Sequence, residues 1–361
     1  MKRVLFLYTE LAPYFLACVE RLVKDHDVEV HIVRWPVNKE APFDLRFADR
    51  VKVYDRNGLD ELPLHRLANR IDPDIVLASG WVDKGYLSVC RDFRKRGVPV
   101  VMCSDTAWRG DVRQWAAVGT SRFWLRRTFS HAWVTGEAQA TYARFLGFPP
   151  FAIKRGFYSA DVDRFQPLAD RFAAAKAQRF PHRFLCVARY IATKGQQLLC
   201  DAFAELCDEG AAGDWELWFI GTGELEEAVK SSTGGRHPRI RHIGFVQAES
   251  MYGYLEHTGV FILPSTYEPW GVVVHEHAVA GFPLILSDAV GAAERFLKED
   301  FNGTRFRAGD KNSLKASLRK LIALPDERLR GMGYASSELG RSWSPERWAA
   351  VLMDIIRTSR A

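Results

Sequence analysis

No run of about 20 apolar residues, the length a transmembrane helix needs, occurs in the sequence, so the chain is not expected to span a membrane. Paired cysteines are missing too. Cys18, Cys90, Cys103, Cys186, Cys200 and Cys207 are scattered without C-x-x-C spacing, which indicates neither a metal site nor a disulfide framework and fits a reducing cytoplasm. There is no repeat of solenoid period and no low-complexity tract. The opening Met1-Lys2-Arg3 and Val4–Tyr8 imitate a secretory signal, and Leu16-Ala17-Cys18 imitates a lipoprotein cleavage site. Thr9-Glu10 and Pro13 interrupt the apolar run, however, and a buried first strand needs only those five residues.

With 47% hydrophobic and 26% charged residues the composition is that of a folded soluble enzyme, and 361 residues exceed one hydrophobic core. Two domains of roughly 150–200 residues are expected. Residues 1–160 carry 25 Lys and Arg against 18 Asp and Glu, whereas the remainder carries 25 against 26. A basic N-terminal half suits anionic lipid or a phosphorylated acceptor; a solvated surface with surplus arginine explains it equally well. The patch Arg122-Phe123-Trp124-Leu125-Arg126-Arg127 hints at a lipid-linked acceptor at a membrane surface, and an ordinary amphipathic helix accounts for it equally well. A cytoplasmic location, extending to the inner face of a membrane, is expected, with no nucleic-acid partner.

Short aliphatic runs at Val4–Tyr8, Val28–Val33, Ile75–Ala78, Val98–Met102 and Ala132–Thr135 alternate with helical stretches such as Tyr14–Val23 and Lys84–Arg96. The same grammar restarts at Phe184–Ala188, Glu216–Ile220, Ile240–Ile243, Val260–Leu263 and Leu284–Leu286. It describes an α/β chain of two doubly wound, Rossmann-like domains. The polar, glycine-containing stretch 154–161 reads as the connector. Domain limits are expected at 1–160, completed by a last helix in 343–361, and at 161–342. Ser344 and Pro345 are placed as cap and first-turn residues of that helix. Open sheets of this kind bind ligands beyond the C-terminal ends of their strands, so a cleft between two such sheets is the place to search.

Three constellations follow strands of the second half. In Arg189-Tyr190-Ile191-Ala192-Thr193-Lys194-Gly195, a planar fork and a compact point charge suit a diphosphate that gains charge as its bond to a sugar breaks. Gly221-Thr222-Gly223 half resembles a dinucleotide fingerprint, but Glu226 stands where the third glycine belongs, and a tight strand-to-helix turn explains it as well. In Glu268-Pro269-Trp270-Gly271-Val272-Val273-Val274-His275-Glu276, a helix begins near Val272 and ends at Gly281-Phe282-Pro283. Its first N–H groups form an anion site for the distal phosphate. Glu276, one turn inside, can accept from ribose hydroxyls, while Glu268 on the preceding loop faces whatever that phosphate carries. His275-Glu276-His277 does not read as a metal site, because residues two apart point to different helix faces. Asp72-Pro73-Asp74 imitates the D-x-D of metal-dependent sugar transferases and reads as a turn before a strand.

Together the R-x4-K-G, the G-x-G, the E-x7-E with its Ala278-to-Pro283 tail, and the link Phe157-Tyr158-Ser159-Ala160-Asp161-Val162-Asp163-Arg164-Phe165 resemble the retaining GT-B glycosyltransferases of family 4. The resemblance covers essentially the whole chain. It implies a GT-B fold and a metal-independent, front-face transfer from a nucleoside-diphosphate sugar, with no further cofactor, to a glycan, lipid-linked or small-molecule hydroxyl. By it Arg189 and Lys194 hold the donor diphosphate, Glu268 contacts the donor sugar and Glu276 the ribose. Trp270, Gly271, Val272, Gly221 and Val246 complete the donor side. The N-terminal half departs from the family pattern, with Glu10-Leu11-Ala12-Pro13-Tyr14-Phe15 in place of a glycine-rich loop and no histidine after Val98–Met102. On that side Asp105, Arg109 and Tyr14 are the candidates, from their place beyond strand ends. A nucleotide-sugar epimerase, an NAD-linked oxidoreductase and a non-catalytic carbohydrate-binding relative are the alternatives. The incomplete G-x-G speaks against the second, and the joint presence of Arg189, Lys194, Glu268 and Glu276 against the third.

Overall fold

A computed structural model of the chain describes residues 1–36, 45–247 and 250–359. It resolves into two compact units, Met1–Asp161 with Trp343–Ala361, and Val162–Ser342.

Among the described residues the first unit holds seven parallel strands: β1 (Lys2–Tyr8), β2 (Val28–Arg34), β3 (Val51–Asp55), β4 (Ile75–Ser79), β5 (Val100–Ser104), β6 (His131–Val134) and β7 (Ile153–Arg155). Their order is β3-β2-β1-β4-β5-β6-β7. The central strands are apolar on both faces, as a parallel sheet covered by helices requires: Val4 to Leu7 and Ile75 to Leu77 have no exposed surface. The run expected from Val98 begins two residues later, at Val100. Two strands escaped the apolar-run criterion because they lie at or near the sheet edges. In β3 only Val51 is buried, and β7 is three residues long with Lys154 and Arg155 turned outward. The stretch 154–161 is therefore no free polar connector. It begins inside β7, and Phe157, Ser159 and Ala160 are buried.

The helix Pro345–Thr358 closes this unit. The Ser344 hydroxyl accepts from the Arg347 N–H, capping the first turn as the sequence suggests. Trp348, fully buried, sits among Phe6, Phe15, Trp133 and Phe157, with its ring 4.8 Å from that of Trp133. Its indole N–H donates to the Phe157 carbonyl at 2.7 Å. Gly156, at φ 81°, lets Trp343 lie directly over the backbone; a methyl group there would stand 2.2 Å from the indole ring.

The second unit holds β8 (Arg183–Val187), β9 (Glu216–Ile220), β10 (Ile240–Gly244), β11 (Val260–Leu263), β12 (Leu284–Ser287) and β13 (Gly303–Phe306), again all parallel. The order is β10-β9-β8-β11-β12-β13, so the winding direction reverses between β8 and β11. The short edge strand β13, with Arg305 exposed, was not legible as an apolar run.

Among the described residues no helix is long and apolar enough to cross a membrane. All six cysteines are free and five are buried; burial pushes the Cys186 thiol up to about 12.

One buried cation, Lys176, forms no ion pair among the described residues. Lys176, on the helix Val162–Gln178, is 4% exposed, and its amine has no hydrogen-bond partner among the described residues. It lies 3.7 Å from the Phe282 ring centroid and 5.9 Å from those of Phe172 and Phe180. Burial pulls its pKa from 10.5 to about 7, an effect the three ring faces oppose in part. Because the folded value lies below the unfolded one, stability falls as pH drops from 10.5 toward 7 and stays reduced below that. Lys176→Met is expected to stabilise the protein by on the order of 2 kcal/mol at pH 7 and by clearly less at pH 10, read from urea denaturation. An equal gain at both pH values would count against this origin.

Candidate active site

The loops after β8 and β11 leave neighbouring strands at the point where the second sheet reverses its winding, the position at which doubly wound sheets bind ligands. The first carries Arg189 and Lys194, the second Glu268.

Backbone contacts fix both loops. Thr266 N–H donates to the Thr193 carbonyl at 2.8 Å, and Glu268 N–H to that of Ala289 at 3.3 Å. The Gly291 N–H returns a bond to the Glu268 carbonyl at 3.0 Å. Gly195, at φ 71°, abuts the second loop so closely that a methyl group would stand 2.3 Å from the Pro264 carbonyl oxygen. The two loops thereby bring the Lys194 ammonium onto a carboxylate oxygen of Glu268, as an ion pair whose side chains are 16% and 12% exposed. Arg189 is exposed at the same strand end, on a loop that Gln196 holds by donating its amide to the Arg189 carbonyl at 2.7 Å.

The Gly221-Thr222-Gly223 turn has a definite task. At φ 136° and 154°, its glycines let the backbone after β9 run against the Arg189 loop: methyl groups would meet the Ala188 and Tyr190 carbonyl oxygens at 2.1 and 2.6 Å. Tyr190 N–H donates to the Thr222 carbonyl and Leu225 N–H to that of Tyr190, at 2.9 and 3.0 Å. The turn seats the cationic loop. Val246 lies half-buried on the loop after β10.

The helix Val272–Val279 starts at Gly271, at φ 92°, with no side-chain cap, so its first N–H groups are available in the way helix starts provide. A methyl group at Gly271 would stand 3.0 Å from the Glu268 side chain, so this glycine also makes room for the carboxylate. Glu276 and Val272 are half-buried on that helix. Trp270 differs from the expectation: it is 2% exposed and packs edge-on to Phe296, so any ligand contact from this position passes through the backbone. His275 and His277 belong to the core. His275 stacks on Phe296, with its Nε2 2.8 Å from the Gly340 carbonyl, and His277 stacks on Phe261, its Nδ1 2.7 Å from the Val273 carbonyl. Burial pulls the His277 pKa from 6.5 to about 4. Asp72 and Asp74 tie down the start of β1: Asp72, at φ 48°, ends a helix and pairs with Arg3, and Asp74 accepts the Arg3 N–H at 2.7 Å.

In the first unit the sheet reverses between β1 and β4, where the Thr9 and Ser79 hydroxyls lie 3.1 Å apart. Asp105, just beyond β5, accepts from the Tyr158 hydroxyl at 3.2 Å. Burial raises its carboxyl above the ordinary range, and the Tyr158 hydroxyl offsets part of that. The Tyr14 ring meets the Tyr158 ring edge-on at 5.4 Å. Asp105, Tyr14 and Tyr158 thus form one cluster. Tyr158 was not among the sequence candidates, and its place three residues beyond β7 was the available signal. Arg109 is exposed on a separate bend, where Gln114 accepts the Arg109 and Gly110 N–H groups at 2.7 and 3.1 Å.

Residues 171–338 match the family model described as Glycosyl transferases group 1. An uncharacterized glycosyltransferase of Methanocaldococcus jannaschii is 29% identical over 122 residues, covering 33% of this chain and 30% of that relative. The amylovoran biosynthesis glycosyltransferase AmsK of Erwinia amylovora is 30% identical over 149 residues, covering 39% and 36%. These matches span about a third of the relatives' lengths. Among solved structures, sucrose-phosphate synthase from Thermosynechococcus elongatus is similar with a TM-score of 0.76 at 16% identity, covering 99% of both chains. Anabaena HepE in complex with UDP and glucose gives 0.72 at 15%, covering 98% of this chain and 99% of that one. At such identities the likeness speaks for the fold, which is GT-B.

Gly221→Ala should cost at least about 2 kcal/mol, because both the φ and the approach to Ala188 exclude a methyl group. Gly253→Ala, with nothing within 4 Å of the added carbon, is the control and should be neutral or stabilising in the same urea titration.

Proposed function

We propose, from a C-terminal unit that carries a glycosyl transferases group 1 domain, that this protein transfers a sugar with retention from a nucleoside-diphosphate sugar to a hydroxyl acceptor. The observation that carries the reading is the meeting of Lys194 and Glu268 at the reversal point of the second sheet, beside the uncapped start of helix Val272–Val279.

Arg189, Lys194 and that helix start receive the diphosphate, whose charge grows as the anomeric C–O bond breaks. Glu276, one turn inside the helix, holds the ribose hydroxyls, and Glu268 the hydroxyls of the sugar. Gly221 and Val246 border the nucleotide. The acceptor oxygen bonds the anomeric carbon on the face the phosphate leaves, and its proton passes to the departing phosphate oxygen. This front-face route uses neither a metal nor a protein base. UDP in the HepE structure supports a nucleoside-diphosphate donor.

On the acceptor side, Asp105 with Tyr14 and Tyr158 offers a carboxylate and two aromatic rings, a combination that suits a sugar hydroxyl and its ring face. The helix Val112–Thr128 bears exposed Val112, Trp115 and Phe123, and the whole stretch 112–136 has no acidic residue; the side chain of Arg122 lies outside the described residues. That composition supports peripheral contact with an anionic membrane on the cytoplasmic side, where a lipid-linked acceptor is presented.

A panel of nucleotide sugars scored for protection against thermal unfolding should single out one donor, since a ligand bound only by the native state raises its stability. Lys194→Ala and Glu268→Ala should each lower turnover by at least about 100-fold, the weight of one positioned electrostatic group. Wild-type rates in both would refute the assignment. Asp105→Ala should raise acceptor KM or lower turnover, and if it and Arg109→Ala both leave them unchanged, the acceptor side lies elsewhere.

A further inference from the structure

The pairing of Lys194 with Glu268 has a consequence for which ligands the site retains. Both backbones are held by hydrogen bonds, the loops are pressed together at Gly195 and Pro264, and both side chains are largely out of water. Such a pair is stable only while each charge has its partner, because removing one leaves the other buried and uncompensated. A diphosphate arriving at Lys194 competes with Glu268 for the ammonium and leaves that carboxylate beside like charges.

Resting on the donor site proposed above, we infer that the Lys194–Glu268 pair is exchanged when the donor binds, and that this exchange makes the site favour a nucleotide that carries a sugar over the bare nucleoside diphosphate. With a nucleotide sugar, the phosphates take over Lys194 while the sugar hydroxyls donate to the released carboxylate, so both members of the broken pair are satisfied. With a bare diphosphate, Lys194 gains a partner but Glu268 gains none and faces phosphate oxygens. Once the sugar has moved to the acceptor, Glu268 loses its hydroxyl donors and reclaims Lys194, which weakens the hold on the spent diphosphate. Glu268 thereby acts on product release as well as on the sugar.

The test is a double-mutant cycle read by calorimetry with UDP, GDP and ADP on the full chain: wild type, Glu268→Gln, Lys194→Met and the double variant. The diphosphate that binds wild type best should bind Glu268→Gln roughly tenfold more tightly, the weight of one charge-assisted hydrogen bond. In the Lys194→Met background the same change should tighten binding clearly less, because no pair is left to break and only the repulsion between carboxylate and phosphate is relieved. Unchanged or weaker binding by Glu268→Gln, or equal tightening in both lysine backgrounds, overturns the exchange and leaves the donor site standing. Binding of none of the three to either wild type or Glu268→Gln removes the donor site and the exchange together. Glu268→Ala takes the place of Glu268→Gln in the cycle if the latter does not fold.

Discussion

Much of the candidate site depends on how closely backbone can approach backbone at the ends of the second sheet's strands. Carbonyl oxygens of Ala188, Pro264 and Pro269 lie where methyl groups on Gly221, Gly195 and Gly291 would otherwise stand, at 2.1 to 2.3 Å. Loops that touch through main chain have little slack, and a lysine and a glutamate carried on them are held at a set separation without a dedicated scaffold of side chains. The glycines are as much a part of the site as the charges, although they contribute no chemistry. The same closeness places Glu268 within reach of the start of helix Val272–Val279, so cation, carboxylate and helix N–H groups converge on one small volume.

Legibility in the sequence followed burial and aliphatic content. Strands sealed on both faces, such as β1, β4, β8 and β11, read as continuous aliphatic runs, whereas β3 and β7 are largely exposed and β13, though mostly buried, is a short Gly-Thr-Arg-Phe stretch with no aliphatic residue. Lys194 and Glu268 stood out as candidates because both sit just past apolar runs, and only the fold could show that those runs are adjacent strands. Their direct pairing was not foreseeable: spacing along the chain says nothing of the 74 positions that the fold closes between them. Trp270 misled for a related reason. A tryptophan inside a motif reads as a contact, but next to a glycine in the left-handed region the chain turns and the ring drops into the core against Phe296. Tyr158 was overlooked because it followed a three-residue edge strand that does not announce itself, so the cluster around Asp105 was seen only in part.

Several buried polar groups carry a desolvation cost. The Lys176 amine rests on aromatic faces, the Trp270 indole N–H has no partner among the described residues, and the Asp105 carboxyl is raised by desolvation. The first two carry a cost in stability, while Asp105 is held by Tyr158 just beyond β5. Distinguishing these cases needs position as well as burial. A costly group in a helix interface is a packing compromise, whereas the same cost beyond a strand end of a doubly wound sheet marks a candidate position for a ligand.

The passage of the first unit through both ends of the chain bears on how it assembles. Trp348 supplies the centre of the aromatic nest formed by Phe6, Phe15, Trp133 and Phe157, yet it follows the entire Val162–Ser342 unit in the chain. During synthesis the residues that lead must wait for those that trail. The second unit can close on its own strands while the first still shows an uncovered apolar hollow, which the helix Pro345–Thr358 fills last. That interval is the time of greatest exposure to wrong partners, and it lengthens with every residue inserted between β7 and the final helix.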